Sequence, residues 1–539
     1  PNIDNATISL QTKLVGATQG TRIKIQAFDQ GKEIASSIAA DDELVSLQLN
    51  QPKLWSPTNP FLYDLKLSLV KDGKVVDEVS SYFGMRKISM GRDQEGYMRI
   101  LLNNAIIYQL GPLDQGYWPD GILTPASDQA LRYDIAYLKK IGANMDRMHM
   151  KVQPERWYYH CDQLGILVWQ DMVSPTKFID TKSNLNSSDF ELEHNITVDQ
   201  LYNHPSIIQW VLFNESWGQY DTERLTAALK AKDPTRLVIN ASGWHDKKVG
   251  DIRDFHDYTI HPAIALVTKN DDRAMVLGEA GGFDLLIPGH LWTPDLKTET
   301  KLKTNWTIDF KKGVVKSSDE LIEKYTILLD DLFQLKKYGL NAVVYTQISD
   351  VEDEISGWMT YDRKVGKLPD TKYAALHQQF FKPTITGKYI LPLSMNTAQQ
   401  WNYRFTAPSN DWIKNTTIAD FKLGEAPFGI ESNNAHKVNT TWNTNSLFLN
   451  KEFTLTALPS KLSLVACNTG ITDVYINGAY VMQFNNFLKN DPEVKISESL
   501  LSDKAMKLLK VGVNQLSLKF NFPSVGKPVY YYDFGIKEY

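Results

Sequence analysis

Two short apolar runs in this chain stop abruptly at a glutamate, and few folds can bury such runs and still use their ends. The first is Ile207-Ile208-Gln209-Trp210-Val211-Leu212-Phe213, followed by Asn214-Glu215-Ser216-Trp217. It is short, begins with β-branched residues and follows Pro205, which suits a strand buried on both faces of a parallel sheet. The second, Ala274-Met275-Val276-Leu277-Gly278, ends at Glu279 and runs on into Ala280-Gly281-Gly282. A strand buried on both faces has room for ionisable groups only at its ends. A closed barrel of parallel strands gathers such groups at the carboxyl ends of its strands. The competing reading of Asn214 and Glu215 is that they cap a helix beginning near Asp221.

The flanking sequence supplies the rest of a barrel. From 89 to 385, short apolar runs alternate with helical patterns, the grammar of an α/β domain with a parallel sheet. Strands are expected at 106–110, 143–149, 166–169 (with Gln170 and Asp171 at its end), 207–213, 237–240 and 254–258, then one ending at Glu279 and one at 342–348. Helices are expected at 128–141, 154–164, 190–202, 225–232 and 321–338. Eight repeats over roughly 290 residues match a (β/α)8 TIM barrel. The stretch 283–318 reads as a long insertion forming a lid or wall.

Both flanks are β in character. Residues 1–88 alternate apolar and polar positions between Gly, Asn and Asp turns, and Lys71-Asp72-Gly73-Lys74 signals a hairpin. These features predict an immunoglobulin-like β-sandwich. Residues 386–539 return to strand patterns, with Asn477-Gly478 as a two-residue hairpin turn. They predict a C-terminal jelly-roll β-sandwich of the sugar-binding type, or alternatively a purely structural cap on the barrel.

Composition excludes several classes. A net charge of −5 over 539 residues gives no support to nucleic-acid binding. No apolar run approaches the roughly 20 residues of a membrane span. The two cysteines, Cys161 and Cys467, fall in different expected domains and read as buried free thiols. Neither CxxC nor HExxH occurs, so neither a metal nor a cofactor is expected. The sequence opens on Pro1, so the natural protein extends upstream or has lost a leader; a periplasmic or secreted location is the expectation. A homo-oligomer is left open.

Two strands that each end in Glu are what a double-displacement glycosidase needs. One carboxyl must be protonated to release the leaving group, and the other ionised to attack the anomeric carbon. A separation of about 5–5.5 Å suits direct attack, and a wider one admits a water. Sequence does not reveal that separation.

Several longer stretches carry a likeness. They are Tyr82-Phe83-Gly84-Met85-Arg86-Lys87-Ile88, Asn144-Met145-Asp146-Arg147-Met148-His149, Asp162 to Asp171, and His204-Pro205-Ser206-Ile207 through Glu215. Together they resemble glycoside hydrolase family 2, the family of β-galactosidase, β-glucuronidase and β-mannosidase. The resemblance implies a retaining mechanism on a TIM barrel. Glu215 would be the acid/base, Glu279 the nucleophile, and Asn214 a ligand of the substrate's 2-hydroxyl or its equivalent. The pattern departs in places. Arg147 and His149 are one residue closer than in the galactosidase and glucuronidase members, and Val168-Trp169-Gln170-Asp171-Met172 is closer to the mannosidase style. A jelly-roll normally precedes the immunoglobulin-like domain, so the sequence is read as a fragment or its C-terminal sandwich as an added module.

Further roles follow from side-chain chemistry. Arg147 can hold Glu279 ionised through a charge-assisted hydrogen bond, or form a structural ion pair at the barrel mouth. His149 and His256 can donate to and accept from sugar hydroxyls, or be satisfied polar residues. Asp171 is placed to bind a hydroxyl pair, and Tyr258 to hydrogen-bond the nucleophile. Of Trp118, Trp217, Trp244 and Trp358, all near strand ends, one is expected to form a stacking platform; Trp244 and Trp358 are the substrate-binding candidates. The acidic run Asp350-Val351-Glu352-Asp353-Glu354 binds hydroxyls or a cation, or is a solvated loop. The expected function is an exo-acting, retaining β-glycosidase with a carbohydrate substrate, first a β-galactosidase. β-Glucuronidase and β-mannosidase are the near alternatives, and a non-catalytic carbohydrate-binding protein is the distant one. A glucuronidase would need a cation for the substrate carboxylate, for which Lys364 and Lys367 are the candidates.

Overall fold

The computed structural model describes residues 1–16, 20–174, 187–266, 271–297, 314–408, 410–414, 420–430, 436–487, 493–523 and 529–539. The chain divides into two compact units, residues 1–242 with 246–254, and residues 243–245 with 255–539.

The first unit opens with antiparallel strands. A four-stranded sheet runs in the order Lys32–Ala39, Arg22–Asp29, Tyr63–Lys71, Lys74–Phe83, and Thr7–Gln11 pairs with Leu44–Gln48. Alternate residues such as Ile23, Ile25, Leu47, Leu49, Tyr63 and Leu65 turn into one core, as a period of two requires. The expected hairpin is present: Asp72 and Gly73 take positive φ (50° and 75°) and bring Lys71 opposite Lys74.

Residues 82–86 fix the start of the strand that carries Glu215. Arg86 donates to the carbonyls of Pro205, Thr235 and Ile207 at 3.1, 3.0 and 2.9 Å. A Cβ on Gly84 would lie 2.8 Å from Cβ of Pro205, so only glycine allows this approach. The Tyr82 hydroxyl donates to Asp162 at 2.7 Å, and Asp162 also takes His204 Nδ1 (2.7 Å) and the backbone N–H of Ser206 (2.8 Å).

The barrel strands follow. Gln109–Asp114, Met145–Met148, Leu167–Asp171, Ile207–Val211 and Leu237–Ile239 lie parallel, each against the next. In the second unit Ala274–Ala280 lies parallel to Leu340–Tyr345. Ile252–Asp257, where the two units meet in sequence, is the remaining strand of the eight expected. The first strand corrects the expectation of 106–110. Asn103 and Asn104 take positive φ (53° and 66°) and turn Met98–Leu102 back onto Ala105–Ile106, which uses up the start of that run. The strand proper contains Gly111-Pro112, a pair that reads as a breaker. Here a Cβ at 111 would come 1.8 Å from the Met145 carbonyl, so the close approach of the second strand demands glycine.

The main helices match the sequence patterns. Asp128–Lys140 is capped by Ser127, whose Oγ accepts from the Ala130 N–H at 3.1 Å. Glu155–Leu164 ends at Gly165 with φ 75°. Ser318–Leu335 is capped by Ser317. Of the expected insertion at 283–318, residues 298–313 lie outside the described residues; Leu285 forms a parallel bridge with Val315.

The C-terminal part of the second unit encloses a core of Trp401, Phe428, Trp442, Leu447, Phe520 and Phe534 between two sheets, one antiparallel and one with a single parallel pair, Phe428–Gly429 against Thr440–Thr441. Asn477 and Gly478 (φ 50° and 81°) form the expected turn between Ile471–Ile476 and Ala479–Asn485. Ile264–Ala265, from the chain between two barrel strands, pairs with Lys495–Leu500 of this region. Glu498 accepts from Lys337 (3.1 Å), Tyr338 (2.5 Å) and Lys537 (3.0 Å), tying the end of a barrel helix to the same sheet. Cys161 and Cys467 are both buried and free, as expected.

Candidate active site

In the first unit the fourth barrel strand ends at Val211 and its chain runs on to Asn214 and Glu215. Asn214 bridges to Ser242, and the Glu215 N–H donates to the Ser242 carbonyl at 2.9 Å. Glu215 and Ser216 then take positive φ, 49° and 66°, a conformation that L side chains avoid. Such residues cost of order 1–3 kcal/mol each and persist where their surroundings over-determine them. The helix Thr222–Lys232 is preceded by Asp221 as its N-cap, so Asn214 and Glu215 are not its caps. Glu215 is largely buried, and burial pushes its carboxyl up to about 7 despite the opposing charges of His149 and Arg147.

Arg147 and His149 come from the second strand and its end. Arg147 forks onto Asp171, Nε to Oδ1 at 3.1 Å and Nη2 to Oδ2 at 3.0 Å, and Nη2 also reaches Asn214 Oδ1 at 2.9 Å. His149 Nδ1 lies 2.7 Å from Asp171 Oδ2, and its ring faces Trp217 at 6.0 Å. Asp171 thus departs from its expected role as a ligand of sugar hydroxyls. It is 1% exposed and both its oxygens are engaged by Arg147 and His149, so it orients those two side chains. Burial alone would raise its carboxyl, yet Arg147 and His149 hold it below the usual carboxylate range. Arg147 makes the ion pair expected as its structural alternative.

In the second unit the seventh strand delivers Glu279. The Tyr258 hydroxyl donates to Glu279 Oε2, the bond foreseen for it, and His256 Nδ1 lies 3.6 Å from the same oxygen. Trp244 is half-buried and meets the His256 ring edge-to-face at 5.5 Å. A Cβ on Gly243 would come 2.9 Å from His256 Nδ1, and its φ of +89° also selects glycine. Gly281, after Glu279, has φ +78°, and a Cβ there would sit 2.6 Å from the Tyr345 ring.

Two expectations fail here. Trp358 is fully buried, stacked on Tyr345 (5.4 Å, 10°) and packed against Tyr373 and His377, so it is a core residue and not a sugar platform. Lys367 is also fully buried and donates to Asp350 Oδ1 at 2.6 Å and to the Ile355 carbonyl, which removes it as a partner for a substrate carboxylate. The acidic run 350–354 is correspondingly mixed: Asp350 is 2% exposed, while Asp353 accepts from Thr293 in an exposed contact. Ser242 was not foreseen. Its carbonyl shapes the backbone at Glu215 and its hydroxyl donates to Asp254 at 2.6 Å. Its place directly after the fifth strand was the available signal.

The sequence comparisons agree with this geometry. The model of Glycosyl hydrolases family 2 matches residues 1–86, and that of the Glycosyl hydrolases family 2 TIM barrel domain matches residues 125–270. Those two segments carry the likeness to glycosyl hydrolase family 2. It is 29% identical over 247 residues (44% of this chain, 23% of the relative) to a putative beta-glucuronidase of Formosa agariphila. It is 27% identical over 277 residues (47% and 26%) to a beta-galactosidase of Leuconostoc mesenteroides, and 27% over 241 residues (42% and 28%) to beta-mannosidase B of Aspergillus terreus. The match therefore spans only about a quarter of these relatives' length. Among solved structures the fold is shared with the FMN-binding beta-glucuronidase from Facaelibacterium prausnitzii (TM-score 0.54, 14% identity, 98% of this chain and 75% of that one). It is shared too with a GH2 beta-galacturonidase from Eisenbergiella tayi (TM-score 0.51, 17% identity, 69% and 68%).

Proposed function

We propose that this chain is an exo-acting, retaining glycosidase that removes terminal β-linked sugars from oligo- or polysaccharides. Glu215 serves as acid/base and Glu279 as nucleophile. The observation that carries the reading is the contrast between the two strand-end acids. Burial keeps Glu215 up at about 7, so that it holds a proton to give to the glycosidic oxygen near neutrality. Glu279 receives a phenolic hydrogen bond from Tyr258, which fixes the orientation of the carboxyl group that is to attack. Once the sugar is bonded to Glu279, one negative charge is gone. The proton of Glu215 has by then gone to the departing glycosidic oxygen, and as a carboxylate Glu215 takes a proton from the incoming water, whose oxygen displaces Glu279 from the anomeric carbon. Asn214, turned by Arg147, presents its amide to the 2-hydroxyl. His149, His256 and Trp244 contact the remaining hydroxyls and ring faces.

A β-galactoside is the preferred substrate. Lys367 is buried against Asp350, while Lys364, the other candidate for a substrate carboxylate, is exposed, so β-glucuronide and β-mannoside remain the near alternatives. The N-terminal sheets are assigned as an immunoglobulin-like sandwich (1–88), the middle as the catalytic barrel (89–385) and the C-terminal sheets as a jelly-roll (386–539). A polysaccharide substrate is met in the periplasm or outside the cell, and the protein is placed there; among the described residues no helix is long and apolar enough to cross a membrane. The test is a panel of nitrophenyl β-glycosides read by NMR for the first-formed anomer. Turnover with a β-anomer product is expected, fastest on the galactoside. No turnover of any β-glycoside, or an α-anomer product, would overturn the reading.

A further inference from the structure

The outer face of the six-stranded C-terminal sheet carries an organised patch that barrel chemistry does not use. Along Ile471–Ile476 the inward residues Val474 and Ile476 enter the core, and Asp473 and Tyr475 face out. Register places Asp473 between Gln483 and Lys519, and Tyr475 between Tyr480 and Ser517. Two rows thus cross three strands, about 10 Å in width. Gln483 Nε2 donates to Asp473 Oδ1 at 2.7 Å. Tyr475 and Tyr480 meet edge-to-face at 5.7 Å, and Tyr480 is 57% exposed. On the same outer face Trp412 packs between Phe448 (5.5 Å) and Tyr475 (6.1 Å), with its carbonyl held by Asn450 Nδ2 at 3.1 Å. Trp412 is 8% exposed and Ser517 is buried, so this flank of the face is covered and the patch open to a ligand is the side of Tyr475, Tyr480, Asp473 and Gln483.

We infer that this face is a glycan-binding site, separate from the barrel, that takes a neutral polysaccharide chain. A sugar ring offers an apolar C–H face and a rim of hydroxyls that both donate and accept. The patch supplies flat aromatic bodies with polar tips beside an amide, a carboxylate and an ammonium, which together match both. Asp473 and Lys519 stand opposite and cancel, which selects an uncharged ligand over an acidic glycan or a nucleic acid. The two rows hold six side chains, with Ser517 buried, and the five left fall short of the roughly 800 Å² per partner of a stable protein interface. The patch is pre-arranged by the Trp412 packing and the Gln483–Asp473 bond, so little ordering is needed on binding.

The full-length chain should be retarded in native gels containing a soluble β-galactan or β-mannan. Two variants, Tyr475→Ala/Tyr480→Ala and Gln483→Ala, are compared with parent for retardation, melting temperature and hydrolysis of a nitrophenyl glycoside. Retardation should weaken about tenfold or more in the double variant, the scale of losing an aromatic anchor. Folding and small-substrate hydrolysis should be unchanged. Gln483→Ala covers the case in which the double variant melts early, and should weaken binding on its own. Binding that persists in folded variants, binding abolished by Glu279→Gln alone, or a parent retarded by neither polysaccharide would each overturn the inference. Retardation without any hydrolysis would sink the glycosidase reading and leave this one standing.

Discussion

The two glutamates sit differently, Glu215 four residues past the end of its strand and Glu279 one residue before the end of its own, and the proposed division of labour follows from the difference. Glu215 is lodged on a backbone with two successive positive φ values and is pushed up to about 7 by burial, with Arg147 and His149 as restraining charges. Glu279 lies within its strand, where the register shifts between Leu277 and Ala280, and takes a hydroxyl donor from Tyr258, with His256 at 3.6 Å. Burial dominates at the first carboxyl group, and a hydroxyl donor meets the second. Under the proposed mechanism one residue type serves as acid at one strand end and as nucleophile at another, each set by the side chains brought beside it.

Removing the nucleophile tests the comparison most severely. Glu279→Gln should lower kcat by about 10⁴-fold or more on every substrate, since loss of a covalent partner is not compensated by the rest of the site. A smaller loss, under about tenfold, would mean that the second carboxylate is not the attacking group. Glu215→Gln should cost about 10²–10⁴-fold on poor leaving groups, the usual worth of general-acid catalysis, and much less on an activated nitrophenyl leaving group in the first step. Equal losses on both would show that Glu215 is not the proton donor. Tyr258→Phe removes one hydrogen bond to a charged group, worth about 1.5–3 kcal/mol, and should lower kcat/KM by roughly 10–100-fold with little change in melting temperature.

The strand ends were legible in the sequence because an apolar run that halts at Asn-Glu or Glu-Ala-Gly leaves few alternatives. The hairpin turns at Asp72-Gly73 and Asn477-Gly478 were legible for the same local reason. What failed was non-local. The first barrel strand hides Gly111-Pro112, and only the Met145 carbonyl, 34 residues on, explains that glycine. Asp171 looked like a ligand because it ends a strand; its partners Arg147 and His149 lie on the neighbouring strand, and no spacing rule shows that they take both of its oxygens. Trp244 and Trp358 both follow strand ends, yet one meets His256 at a half-buried rim and the other is sealed beneath Tyr345. Lys367 is in the same position: a lysine near a strand end reads as available until Asp350 is placed beside it.

The electrostatic half of the comparison can be sharpened through pH. The alkaline limb of kcat/KM should fall near pH 7, because Glu215 acts as the acid only while protonated and loses its proton as pH rises through its raised value. His149 is among the charges that pull that value down, so His149→Gln should let it climb, and the alkaline limb should move to higher pH. Overall turnover should change modestly. A limb that stays put, or moves down, would show that His149 carries no charge near Glu215.

The smallest effect on turnover is expected at Trp358, which makes it a control for the tryptophan contrast. Its indole is wholly enclosed by Tyr345, Tyr373 and His377, so Trp358→Phe leaves a void where the second ring was and no lost sugar contact. A partly collapsed cavity of that kind costs about 1–3 kcal/mol, read as a lowered melting temperature, with KM within about twofold of parent. Trp244→Ala should show the reverse: the half-buried ring contributes less to packing, but its loss bares the edge of His256 and should raise KM. If instead Trp358→Phe raised KM and left stability intact, the ring would have to leave its enclosure during the reaction. The barrel floor would then be mobile where the structure shows stacked aromatic rings.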